Sequence, residues 1–272
     1  MKWRLIVCVF VVVFALVWFY DTPRWRSLAS RLMNDAAALM NRNSKNYDSA
    51  ASPRAQAAAE RVKPMLSAEL VAKGLHWGDP VFLRAFKEEG QLELFVQDRA
   101  SKRFVLFRTY QIAKQSGELG PKQREGDGQV PEGFYFAGRS AMKPDSTYHL
   151  AINCGYPNTY DRAHQRTGSF IMIHGNTVSI GCLAMTDEKI EEIYSLCDAA
   201  LAGRQDYFRI HLFPFRMTEA RLAQAADDPW LDFWKNLKQG YDHFEIHGIP
   251  PEVEVKNQSY EFLLVESEQE AP

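Results

Sequence analysis

"VFLRAFKEEGQLELFVQDRASKRFVLFRTY", residues 81–110, sets the fold class. Three runs rich in β-branched and aromatic residues, "VFLRAF" (81–86), "QLELFVQ" (91–97) and "RFVLFRTY" (103–110), are separated by "KEEG" and "DRASK". Short apolar runs bounded by polar, turn-forming residues predict strands, here a β-meander. Working toward the C-terminus, Gly and Pro punctuate residues 116–139 in a long loop that leads into the strand "GFYFAG" (133–138). "TYHLAINCGYP" (147–157), "SFIMIHG" (169–175) and "YFRIHLFPF" (207–215) are further strands. The expected fold is mainly β with flanking helices, α+β overall.

Two helical regions accompany the strands. Thr186 is placed to N-cap a helix, with Asp187 and Glu188 in its first turn, where the helix dipole favours acids. Met185 and Ile190 fit the hydrophobic staple, and Ile190, Ile193 and Cys197 recur on one face. Residues 218–272 predict two helices broken at Asp228-Pro229, followed by a strand. The stripe Trp230, Phe233, Trp234, Leu237 and Tyr241 packs this extension on the domain.

The N-terminus has a different character. Lys2 and Arg4 precede sixteen uncharged residues, Leu5–Tyr20, the pattern of a targeting segment. A spanning helix needs roughly 17–25 apolar residues, so residues 1–22 read as a signal-anchor or a signal peptide. No small-x-small cleavage site follows, which favours an uncleaved anchor in the inner membrane through residues 5–20. Residues 23–64, rich in Ala, Arg, Ser and Asn, read as a partly helical spacer. Residues 65–217 then form the main domain and 218–272 its helical extension.

The chain of 272 residues, 46% hydrophobic with a net charge of −2, is long enough to bury a core and has no global attraction for polyanions. A basic stretch at 21–64 (eight Lys/Arg, four Asp/Glu) and an acidic one at 250–272 (six Glu, one Lys) read as solvated surface. No phosphate loop, dinucleotide-binding glycine pattern or basic aromatic groove occurs, so neither nucleotide nor nucleic acid is an expected partner, and no cofactor is implied. His243 and His247 are spaced four apart without the Glu of a zinc-protease motif. They fit the C-terminal end of a helix, and no metal site is expected. Of four cysteines, Cys8 lies in the apolar segment. Cys154, Cys182 and Cys197 make an odd number for an exported domain, leaving at least one thiol free. Cys154 and Cys197 read as core residues, with a disulfide between them left open.

The chemistry concentrates in "IMIHGNTVSIGCLAM", 171–185, where His174 and Cys182 stand eight residues apart, each beside a glycine. A thiol attacks as thiolate, and a nearby histidine or helix N-terminus promotes that form. Gly181 permits a sharp turn that directs the N–H groups of Ile180, Gly181 and Cys182 at one point, as an oxyanion hole requires. Gly175 and Ser179 shape the same loop. From residue chemistry alone, a catalytic pair and two ordinary core residues weigh about equally. Tyr156, Asn158, Arg162, His164 and Arg166, in "GYPNTYDRAHQRTGS", are candidates to meet a substrate carboxylate; a solvated polar loop is the other reading.

"IHG…SIGCLAM" resembles the signature of the L,D-transpeptidase catalytic domain (YkuD-type) family, and "VPEGFY" (130–135) resembles the family's T-P-x-G segment. "GYPNTYDRAHQRTGS", "HLFPFRM" and "FWKNLKQGYDHFE" look closer still to its YafK-like branch. The similarity runs from about residue 80 to 260. It implies a β-sandwich or barrel of the L,D-transpeptidase type in the bacterial cell envelope, on the periplasmic side. It also implies acyl transfer on peptidoglycan stem peptides, with Cys182 as nucleophile and His174 as general acid/base.

Three departures bear on specificity. The His174–Cys182 loop is shorter than in the commoner members, Ile180 stands where they carry a second histidine, and Ala184 replaces an Arg or Asn. The thioester can pass to an acceptor amine, making a transpeptidase, or to water, making an amidase or peptidase that trims stems or releases attached protein. A wall-binding protein without catalysis is a third possibility, which the intact His174/Cys182 pair disfavours.

Overall fold

A computed structural model describes residues 52–263. The expected anchor, most of the spacer and the acidic tail beyond residue 263 lie outside the described residues. The described chain begins with α1 (Pro53–Ala72), whose buried Ala55, Ala58, Val62, Leu66 and Leu70 recur at helical spacing. This helix runs through residue 64, where the spacer was expected to end, and its apolar stripe joins the main core.

Strands β1 (Val81–Phe86), β2 (Gln91–Gln97) and β3 (Phe104–Gln111) form the expected meander. Strand β4 (Gly133–Gly138) follows the long loop. A second sheet begins with β5 (Met142–Ser146) and β6 (His149–Asn153), leads into the short helix α2 (Thr159–Ala163), and continues with β7 (Met172–His174) and β8 (Leu183–Ala184). Helix α3 (Asp187–Gly203) precedes β9 (Tyr207–Phe213). After it come α4 (Glu219–Ala223), α5 (Leu231–His247) and the hairpin β10 (Glu252–Lys256) and β11 (Ser259–Leu263).

The five-stranded sheet has the order β3-β2-β1-β9-β4, with β1 and β9 parallel. The four-stranded sheet has the order β5-β6-β7-β8, with β7 and β8 parallel. The fold is mixed α+β. Every residue of β1 is buried because both faces of its sheet are covered. Val81, Leu83 and Ala85 enter one core with α1 and α3. Phe82 packs with Phe95 and Phe244, and Phe86 joins the aromatic cluster under α5 and the hairpin. The strands expected over 147–157 and 169–175 are shorter, since their ends turn away to build the site. Strands β5 and β8 and the second arm of the C-terminal hairpin lack a strong alternating pattern and were not expected.

Thr186 occupies the N-cap position of α3 but makes no side-chain cap bond, a correction to the expected cap. Its φ of 78° turns the chain, while its N–H donates to Asn176 O at 3.1 Å. Asp187 Oδ1 accepts the Asn176 N–H at 2.7 Å, tying the start of α3 to the loop after β7.

His211, on β9, is 1% exposed, and neither ring nitrogen has a hydrogen-bond partner. Its ring lies between Phe82 and Phe134, at centroid distances of 4.6 and 4.7 Å. Burial, reinforced by the charges of Arg209 and Arg84, pushes its pKa well below 6.5. The unfolded chain therefore takes up a proton that the folded one refuses, and stability falls as pH drops below 6.5. From this site alone the expected loss is about 1 kcal/mol by pH 5.5. Urea midpoints at pH 7.5 and 5.5 check it: His211→Phe should flatten the dependence, leaving the smaller part due to His174 and His243, whose pKa values are also lowered. An unchanged slope would remove His211 as its cause.

Candidate active site

Strand β7 ends at His174, and β8 begins just after Cys182. Their parallel register pairs Ile173 with Leu183 and His174 with Ala184. His174 thus closes one strand of this parallel pair, and Cys182 stands one residue before the other. Ala184 is fully buried, and its N–H and C=O pair with Lys114, which fixes β8 from its other side.

His174 is 2% exposed, and its Nδ1 lies 2.5 Å from Gly175 O. A carbonyl only accepts, so Nδ1 carries the proton and Nε2 is the basic nitrogen. Gly175 is held tightly. An added Cβ would lie 2.5 Å from Asp187 Oδ1 and 2.8 Å from Tyr148 O, and the Gly175 N–H donates to Leu150 O at 3.1 Å. Tyr148 lays its ring over the imidazole at 4.8 Å. Burial lowers the pKa of His174, and the Gly175 hydrogen bond opposes this.

Cys182 is half-buried. Its Sγ accepts the Met172 N–H at 3.4 Å and donates to Phe170 O at 3.6 Å. Among the described residues, thiol and imidazole share no hydrogen bond. Burial raises the thiol pKa above 9.0, against the lowering effects of the Met172 N–H and the Lys122 charge. The resting pair is therefore neutral thiol and neutral imidazole.

Two of the three N–H groups of the expected oxyanion cradle have partners within the chain. Gly181 N–H donates to Ser116 Oγ at 2.6 Å, and Cys182 N–H donates to Ser179 Oγ at 3.0 Å. Ser179 closes a ring by donating to Cys182 O at 2.6 Å, which holds the turn before the nucleophile. Gly181 has φ 89°, and an added Cβ would lie 3.1 Å from Gln129 O, so both conformation and space require glycine there. Ile180 is 84% exposed, and Phe170 and Val178 are exposed beside it, so the rim near the thiol is apolar.

Ser116 belongs to the long loop, which forms one wall of the site. Its hydroxyl also donates to Gly128 O at 2.7 Å. Asp127 organises the loop by accepting N–H bonds from Gln123, Arg124 and Gln129 together with the Lys122 ammonium. Those contacts hold its pKa at about 2. Glu132, in the "VPEG" turn, is fully buried and accepts from Lys87 Nζ, Gly120 N and Trp234 Nε1, joining loop, sheet and α5.

The five candidate substrate-binding residues all have partners within the chain, some in their own loop and some on neighbouring elements. Asn158 caps α2 and donates to Phe134 O and Tyr260 OH. Buried Arg166 pairs with Asp161 at 2.9 Å. Tyr156 OH reaches Lys122 O and Thr167 O, both at 3.3 Å. His164 stacks on Tyr160 at 4.1 Å and bonds its carbonyl through Nδ1. Arg162 is exposed and holds Pro157 O. Lys122, Ser116, Tyr148 and Phe170 were not expected at the site. Only the folded loops bring them there.

Cys154 and Cys197 are free and fully buried, and both have raised pKa values. Among the described residues, no group of three or more His, Cys, Asp or Glu is placed to hold a metal ion, and no helix is long and apolar enough to cross a membrane.

The chain belongs to the L,D-transpeptidase catalytic domain (YkuD) family, whose profile matches residues 94–201. It is 48% identical over 183 residues to YafK of Escherichia coli strain K12, an L,D-transpeptidase by name; the match covers 67% of this chain and 74% of that protein. YafK of Escherichia coli O157:H7 matches to the same extent. Among solved structures, the helical cell shape determining protein Pgp2 of Campylobacter jejuni is 17% identical over 72% of this chain and 80% of that one, with a TM-score of 0.40. Bd1075 of Bdellovibrio bacteriovorus is 18% identical over 62% and 61%, with a TM-score of 0.35.

Proposed function

We propose that this protein is a cysteine acyl-transferase of the L,D-transpeptidase type, acting on peptidoglycan stem peptides through a thioester on Cys182. One observation supports the reading: a half-exposed thiol stands one residue before β8, beside the strand that ends in His174, whose Nδ1 is anchored on Gly175 O. That anchoring leaves Nε2 to take the thiol proton as sulfur attacks the stem carbonyl. The same nitrogen returns the proton to the leaving amine. A second amine, or water, then attacks the thioester and frees the sulfur.

Transfer and hydrolysis share the acyl-enzyme and differ in what reaches it next. Holding an acceptor amine in place is worth up to roughly 7–11 kcal/mol over an untethered one, enough for it to outcompete water. With donor muropeptide fixed, rising acceptor amine is expected to increase cross-linked or exchanged product at the expense of hydrolysed stem, as read by mass spectrometry. Free carboxylic acid as sole product at every acceptor concentration would make the protein a hydrolase.

The proposed location is the periplasm, with residues 5–20 as an inner-membrane anchor. Uncharged Leu5–Tyr20 after Lys2 and Arg4 supports it. A reporter active only outside the cytoplasm, fused after Pro272, should be active. A silent fusion, paired with an active cytoplasmic reporter, would overturn the placement and with it access to assembled wall.

A further inference from the structure

Lys122 is a buried cation that the sequence motifs do not include. Its side chain is 4% exposed, and Nζ donates to Arg124 O at 2.9 Å and Asp127 Oδ1 at 2.5 Å. An ammonium has three N–H donors, so these two bonds leave one uncommitted. Gly168 makes room for its stem: an added Cβ there would lie 2.8 Å from Lys122 Cε and 3.2 Å from the Tyr156 ring. The Tyr156 ring lies 5.9 Å from Nζ, and Tyr156 OH donates to Lys122 O. The segment that passes Lys122 at Gly168 continues to Phe170, which has φ 56° and offers its carbonyl to Cys182 Sγ. Lys122 thus packs against the segment whose Phe170 carbonyl meets the nucleophile.

Attack creates anionic character on sulfur and then on the carbonyl oxygen. His174 is neutral at rest, and the Gly181 and Cys182 N–H groups are engaged by serine hydroxyls. We propose that Lys122 is the fixed positive charge of this site, held by Asp127 and Gly168 so that its field favours the anionic form of Cys182. It is a positioning residue for charge and takes no part in bond making. The acyl-transfer role of that charge rests on the proposed function; its effect on the thiol does not.

The two partners of one ion pair give opposite predictions, which separates field from scaffolding. Alkylation of Cys182 by iodoacetamide, followed across pH on the full chain by mass spectrometry, reads the thiolate directly. Lys122→Gln removes the cation, so the profile should move to higher pH and the rate at pH 7.5 should drop about tenfold. Lys122→Arg should stay close to wild type. Asp127→Asn leaves the cation without its counter-charge, so the profile should move to lower pH.

The other groups bearing on this thiol are His174, the buried Cys154 thiol and, at the rim, Glu125, whose Oε2 lies 3.4 Å from the Gly168 Cβ position. All three are unchanged in these variants. A scaffolding role predicts that Lys122→Gln and Asp127→Asn, which break the same pair, move the profile in the same direction, and that result overturns the proposal. Should Lys122→Gln fail to fold, Asp127→Asn decides alone: a downward shift supports the field, and an upward shift or none refutes it. Alkylation does not depend on wall substrate. Wild-type protein inert toward muropeptides, with both shifts present, would refute the acyl-transfer reading and leave the role of Lys122 standing.

Discussion

Cys182→Ala is expected to abolish turnover of muropeptides and formation of any covalent adduct while the fold persists. Sulfur is the attacking atom, and among the described residues the other thiols, Cys154 and Cys197, are fully buried, with burial holding both in the neutral form. Loss of the sulfur removes only weak contacts to Met172 N and Phe170 O from a half-buried position. The cost to stability should therefore stay within the usual range for single substitutions, about 0.5–3 kcal/mol. Intact-protein mass spectrometry after incubation with donor stem should show an acyl adduct on the wild type and none on the variant, with both proteins folded at the assay temperature. Near-wild-type activity in the variant would show that the nucleophile lies elsewhere.

The legible parts of the sequence are those where local pattern and tertiary environment agree. Strands β1, β2 and β4 begin and end where their apolar runs do, because each run is bounded by turn residues and buried along its length. Helix α3 starts after Thr186 as expected, yet the hydrogen bonds there run to Asn176, which lies before β8 in the chain: its carbonyl accepts the Thr186 N–H and its N–H donates to Asp187. Strand β8 is only two residues long and exists because β7 and Lys114 pair with it on either side. No period can announce such a strand.

The site divides in the same way. His174, Gly175, Ser179, Gly181 and Cys182 stand in one short motif, and their types alone indicate a thiol, a base and a tight turn. The hydroxyl that occupies the Gly181 N–H comes from Ser116, 65 residues earlier, and the buried cation comes from Lys122 in the same long loop. The polar run at 156–166 suggested ligand contacts. In the fold, Arg166, Asn158 and His164 bond Asp161, Tyr260 and the Tyr160 carbonyl. Residue type reveals the capacity to bond. It does not reveal whether the partner is a substrate or the protein itself.

His174→Ala is expected to lower the turnover rate by about 10²–10⁴-fold, the usual range for loss of a general base, and to change the shape of the pH profile. In the wild type the imidazole must be neutral to accept the thiol proton. Burial sets its pKa below 6.5, so activity should persist as pH falls past 6.5 and decline only on the acid side of that lowered value. Without His174 the thiol must ionise unaided, and burial holds its pKa above 9.0. At pH 7 fewer than roughly one thiol in a hundred is then thiolate, which alone accounts for the lower end of the expected loss. The remaining rate should rise about tenfold per pH unit to beyond pH 9, with no separate limb below 6.5. Gly175→Ala offers an independent approach to the same group. Its Cβ would collide with Asp187 and with Tyr148 O, displacing the carbonyl that orients the imidazole, so activity should fall while the thiol itself is untouched. Profiles of kcat/KM from pH 4.5 to 10 for the three proteins make the comparison. A His174→Ala variant that keeps the wild-type acid limb would assign the base to another residue, since the group whose titration shapes that limb would still be present.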